Sequence, residues 1–208
     1  MKNPSILALL FSLAASTWAG QDGEPDLRKF DQTNLVSTVA ALPGEEKVRA
    51  IDLLRSEMHA KDTSATRRRV VRLALIDLAD QDAMHDTMRQ FRDGFIRARQ
   101  DMGSILKESS QPDVILELAA EVSRDEEAKP RLYNAEFFDY PSSVRASEII
   151  CRIIQNSPEF GQPVKAWAET LSVTDPQKLR DEVRRWLADN HEHLASGNYG
   201  STVPPAGQ

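Results

Sequence analysis

The chain has 208 residues, with 26 Lys and Arg against 32 Asp and Glu, for a formal net charge of −6. An acidic balance argues against nonspecific nucleic-acid binding, which depends on clustered positive charge. Cys151 is the only cysteine, which excludes a fold built on intramolecular disulfides.

In chain order, residues 1–19 come first. Lys2 makes a basic tip, residues 6–15 form an apolar run, and Thr17 and Ala19 supply small residues before a cut at Gly20. That order is the order of a secretory signal peptide. The run is too short to span a bilayer, which takes about 20 apolar residues. No cysteine follows it to carry a lipid, and no later stretch is long and apolar enough for a stable membrane span. The mature chain is therefore expected outside the cytoplasm, periplasmic or secreted. Residues 20–31 read as a polar linker.

Helical periodicity runs through residues 32–195. Leu35, Val39 and Leu42 mark a first helix, stopped by Pro43 and Gly44. Val48, Ile51, Leu54 and Met58 mark a second. Thr63 or Ser64 caps a third, with Val70, Val71, Ala74 and Leu78 on its face. A fourth carries Met84, Met88, Phe91 and Phe95 and extends through Gly103 to Leu106. Pro112 opens a helix with Ile115, Leu118, Ala119 and Val122. A charged, irregular stretch at 124–129 leads to Leu132, Phe137 and Phe138. Ser142 or Ser143 then caps a helix with Val144, Ile149, Ile150, Ile153 and Ile154. Pro163 starts a short helix with Val164, Trp167, Ala168 and Leu171. Thr174 to Gln177 has the form of a capping box ahead of Leu179, Val183, Trp186, Leu187 and Leu194. Residues 196–208 are rich in Gly, Ser and Pro and are expected to be disordered. The resulting expectation is an all-α fold of about nine helices in stacked antiparallel hairpins. No hairpin covers its own apolar face, so neighbours must stack.

Two stretches carry a resemblance. Residues 139–146 place Asp139 ahead of the pair Val144-Arg145, the spacing of HEAT-type helical repeats, where the Asp sits between two helices. Residues 160–167 are similar to a Phe-Gly-x5-Trp element that follows such repeats in some exported bacterial proteins. Trp186 to Asn190 resembles the Trp-Trp-x-x-Asn ending of those arrays, with Leu187 in place of the second Trp. The resemblance covers mainly residues 126–195. It implies a short α-α superhelix, an Asp139–Arg145 pairing of structural role, and a habit of binding other molecules, but no reaction.

Several constellations invite a chemical reading. His191 and His193 are two apart on a helix and point about 200° away from each other, so they cannot share one metal ion without fraying. Near a helix C-terminus they favour the dipole when protonated. His59 and His85 read as surface or helix-end residues. Arg67, Arg68, Arg69 and Arg72 read as a solvated face that meets an acidic partner. Asp93 with Arg97, and Asp181 with Arg185, stand four apart in the favourable order. Met84, Met88, Phe91 and Phe95 read as a core face, and Trp167 and Trp186 as buried anchors. Cys151 reads as a small buried apolar side chain.

No GxSxG, P-loop, dinucleotide fingerprint or CxxC is present. No catalytic, cofactor-binding or metal-ligating residue is expected, and no enzyme. The functional expectation is a noncatalytic exported scaffold or adaptor that binds a protein or peptide, with no nucleic acid as partner. The alternatives are a self-assembling envelope structural protein and an enzyme with an unrecognised site.

Overall fold

In a computed structural model of the chain, the described residues are 27, 30–129, 131–134 and 137–205. The expected signal peptide lies outside them. Among the described residues ten α-helices follow one another: α1 (Gln32–Ala40), α2 (Gly44–His59), α3 (Ala65–Asp77), α4 (Gln81–Asp93), α5 (Ile96–Glu108), α6 (Val114–Val122), α7 (Ser142–Asn156), α8 (Gln162–Thr170), α9 (Pro176–Asp189) and α10 (His191–Ala195). Between α6 and α7 a small hairpin pairs β1 (Arg131–Asn134) antiparallel with β2 (Phe137–Asp139). The sequence reading contained no strand. Strands of four and three residues are too short to establish an alternating period.

The helices pack as two interleaved rows. Along one row α1 meets α3, α3 meets α5, α5 meets α7, and α7 meets α9. Helices α2, α4, α6 and α8 lie against this row, and α4 also meets α6. Helices that touch both their sequence neighbours and their next-but-one neighbours make a stacked array of hairpins. The fold is all-α, as the periodicity required.

Two apolar cores fill the array. The smaller joins Leu35, Val39, Ala50, Leu54 and Met58 to Val71, Ala74 and Leu75. The larger runs from Leu73 and Ile76 of α3 through α4 to α10. Thus α3 is buried on both sides between Val71 and Ile76 and belongs to both cores. Helix α7 plays the same central part in the larger core, burying Val144, Ile149, Ile150, Ile153 and Ile154 against α5, α6, α8 and α9.

Several local expectations are corrected. Val48 is exposed, and the inner face of α2 is Ala50, Leu54 and Met58. The chain breaks at Gly94-Phe95 into α4 and α5, which separates Asp93 from Arg97 and turns Phe95 to solvent at 92% exposure. Gly94 permits the break because a Cβ there would lie 2.3 Å from the carbonyl oxygen of Gln90. Ser64, not Thr63, caps α3 by accepting from the Arg67 N–H. Asp175, not Thr174, caps α9. Neither Ser142 nor Ser143 caps α7; instead Glu126 of the preceding connector accepts from the Ser143 N–H at 2.9 Å. A carboxylate brought from 17 residues away satisfies the helix end.

The segment after α10 is also ordered as far as Pro205. Gly197, at φ 70°, closes α10, and Tyr199 and Thr202 are buried. The expectation of disorder therefore fails for 198–205. A sequence rich in Gly, Ser and Pro still docks when one aromatic ring finds a core.

Candidate functional site

The site grows from α7. Its inward residues are branched and apolar, so its remaining side chains are forced toward the open side of the odd row. There Glu148, Cys151, Arg152 and Gln155 form one wall of a cleft of about 380 Å³. Glu169 at the end of α8, the turn Leu171-Ser172-Val173, and Leu179 of α9 form the other. Leu171 and Val173 are half-buried against the larger core and add apolar patches to a cleft whose surface is mainly polar.

The rim carries both signs of charge. Glu148 is held by Lys107 of α5 at 2.5 Å, and Arg152 donates to Gln155 at 3.2 Å. Cys151 is buried, and burial, reinforced by the nearby Glu148 carboxylate, pushes its thiol up to about 12. At neutral pH it is therefore a protonated, apolar group and not a thiolate nucleophile. What the cleft offers is mainly charged and amide groups, with apolar contact from Leu171 and Val173. This arrangement can grip a side chain or an extended segment.

The arginine cluster does not form a solvated face. Arg67 binds Glu57 through two nitrogens at 2.9 and 3.1 Å and donates to the carbonyls of Leu27 and Phe30 at 2.7 Å. Arg68 donates to the carbonyls of Ala60 and Thr63. Arg69 reaches Ser104 and Glu108 of α5. Arg72 enters the core and pairs with Asp86 at 2.7 Å and with the Thr87 hydroxyl at 3.0 Å. Consecutive residues on a helix point about 100° apart, so each guanidinium serves a different neighbour. All four tie the array together.

Asp139 and Arg145 form the expected ion pair, with Asp139 almost wholly buried. The Asp139 carboxylate joins the end of β2 to α7 and does not cap a helix. His191 and His193 fall in a separate five-residue helix, α10, after a break at Asn190, with His191 at its start and His193 in its last turn. His59 and His85 are exposed, and His85 lies 3.8 Å from Glu117. Arg185 pairs with Glu182 at 3.0 Å, while Asp181 accepts from Gln177. Met84, Met88 and Phe91 are core residues; Phe95 is not. Trp167 and Trp186 are buried and stacked, with ring centres 5.6 Å apart. Among the described residues no group of three or more His, Cys, Asp or Glu side chains is disposed to hold a metal ion, and no helix is long and apolar enough to cross a membrane.

Sequence reasoning missed the second wall of the cleft, because Glu169 and 171–173 become neighbours of α7 only once α8 and α9 fold back. It also missed two clamps. Arg180 and Arg184 of α9 donate to main-chain carbonyls of Glu126, Val122 and Arg124 and so hold the end of α6 and its connector. Asn190 binds Val203 through both main-chain groups. The Asn at the end of the Trp186–Asn190 element was the one available signal for the latter. Comparison of the chain with protein-family models, curated protein sequences and solved structures gives no match to any of the three.

Proposed function

We propose that this chain is an exported, noncatalytic scaffold that binds a protein or peptide in the α7–α9 cleft and along the adjoining face of the odd row. The observation that carries the reading is the cleft itself: a mainly polar surface of mixed charge and amide groups, with Leu171 and Val173 as apolar patches and Cys151 held as a buried thiol. Stacked helical hairpins commonly use such extended faces for binding. The alternation of helices supports the HEAT-like reading of the fold, and the order of residues 1–19 supports export. The test is site-directed: a photo-crosslinking residue at Gln155 of the mature full-length chain should capture one recurring partner. Arg152→Glu, which reverses the rim cation, should abolish that capture while leaving the helical signal unchanged. Crosslinks that are indifferent to Arg152→Glu would remove the cleft from the account. Export is tested separately, by whether the extracytoplasmic chain begins at Gly20.

A second reading, self-association, rests on Phe95. At 92% exposure on the α4–α5 turn, it is the most exposed large apolar side chain of the described residues. A monomer over a wide concentration range in light scattering would eliminate this reading.

A further inference from the structure

Residues 198–205 cross the end of the array as a strap. Tyr199 to Ser201 make one tight turn, and Thr202 follows at φ −67° and ψ 143°, within the polyproline range. Pro204 and Pro205 continue the segment, and Pro205 is buried. Under the strap lies an aromatic cluster. The Tyr199 ring sits 5.6 Å from Phe160, Phe160 meets Trp186 edge-on at 6.2 Å, and Trp186 stacks on Trp167. The Tyr199 hydroxyl donates to Asp113 at the start of α6.

Asn190 decides how the strap is held. Its side-chain oxygen accepts from the Val203 N–H at 2.8 Å, and its side-chain nitrogen donates to the Val203 carbonyl at 3.0 Å. One buried amide thus grips both main-chain groups of one residue. The Val203 side chain takes no part and is 57% exposed. Main-chain hydrogen bonding beside an aromatic floor is how grooves hold extended, proline-containing peptides. In the same cluster both indole N–H groups, of Trp167 and Trp186, are buried without an acceptor.

We propose that Phe160, Trp167, Trp186 and Asn190 form a second peptide-binding groove, for an extended proline-containing segment, and that the chain's own strap is its occupant in cis. The groove shares no lining residue with the α7–α9 cleft, so it stands or falls independently of the cleft. Asn190 requires a non-proline residue, with a free N–H, at the position of Val203. Prolines beside it hold the segment extended and reduce the ordering cost of binding. The strap regulates the groove, because a partner must displace it.

The probe is a fluorescent synthetic peptide with the sequence of residues 198–205, titrated into the full-length chain. In Val203→Pro the strap lacks the N–H that Asn190 accepts, and hydrogen exchange should show it open. With its cis occupant loosened, this variant should bind the peptide at least about tenfold more tightly than the unaltered chain. Adding Asn190→Ala to Val203→Pro should abolish binding, as should a peptide with Pro at the Val position. If Val203→Pro lowers the helical signal, Tyr199→Ala, which frees the strap's turn and keeps Asn190, takes its place with the same readings. An open strap without peptide binding, binding indifferent to Asn190, or a strap protected in both variants would each overturn the proposal.

Discussion

Arg72 enters the core beside Thr87 with only 6% of its surface exposed, and Asp86 is what makes this tolerable. Burial alone would raise the Asp86 carboxyl, but the hydrogen bond and charge of Arg72, with help from Arg89, outweigh it and hold the group below its ordinary range. The folded chain therefore binds that proton less readily than the unfolded chain. The resulting stability is complete above the ordinary carboxylate range and is lost as pH falls through the lowered folded value. Asp86→Asn leaves a buried guanidinium without its counter-charge and is expected to cost about 3 kcal/mol at pH 7. Urea midpoints taken from pH 7 down to pH 3 should fall less steeply in the variant than in the unaltered chain. Arg145→Ala strands the buried Asp139 carboxylate and should cost about 1–3 kcal/mol. A loss within about 0.5 kcal/mol, the range of an ordinary surface change, would mean that the pair contributes nothing particular. The residue types of both pairs were visible in sequence. The Asp139–Arg145 pairing was legible because its partners are six apart with a turn between them. The Arg72–Asp86 pairing was not, because it joins two helices whose relative rotation no local pattern specifies.

At the scale of elements, the turn from α3 to α4 shows how much chemistry a helix boundary concentrates. The Ala79 N–H donates to Ile76 and the Asp80 N–H to Leu75, closing α3 in the manner that usually ends on glycine. Here the left-handed position, φ 59°, is filled by Ala79. Asp80 then caps α4 through the Ala83 N–H and binds Arg55 of α2 at 2.7 Å. The guanidinium of Arg55 is correspondingly held above its usual range, chiefly by the hydrogen bond to Asp80. Ala79→Gly removes a steric penalty at that left-handed position and should stabilise the chain by about 0.5–1 kcal/mol in thermal or urea unfolding. A destabilised Ala79→Gly would contradict the assigned backbone conformation. Most helix bodies were legible because their apolar residues recur at helical spacing. Boundaries were less so: Gly94 splits what reads as one stripe of Met84, Met88, Phe91 and Phe95, and Glu126 caps a helix from a distance.

For the whole molecule, the decisive element is α3, which contributes to both cores. Its Asp77 also accepts from Gln32 at the start of α1 and from Ser109 and Ser110 after α5, bridging the two halves. A shared central helix predicts one cooperative unfolding transition. Leu54→Ala, in the smaller core, should lower stability by about 2–5 kcal/mol. It should shift the transition reported by the fluorescence of Trp167 and Trp186, which lie in the larger core. An unshifted tryptophan transition would mean that the two cores unfold independently.

The sequence by itself determined the all-α class, most helix bodies and the burial of Cys151, Trp167 and Trp186. These follow from short-range periodicity and from the free energy of removing apolar side chains from water. The cleft beside α7, the inward turn of the four arginines and the seating of residues 198–205 on Asn190 were decided only by tertiary structure. Each joins groups far apart in the chain, and their meeting depends on how helices rotate and stack, a choice made by the packing of the whole array.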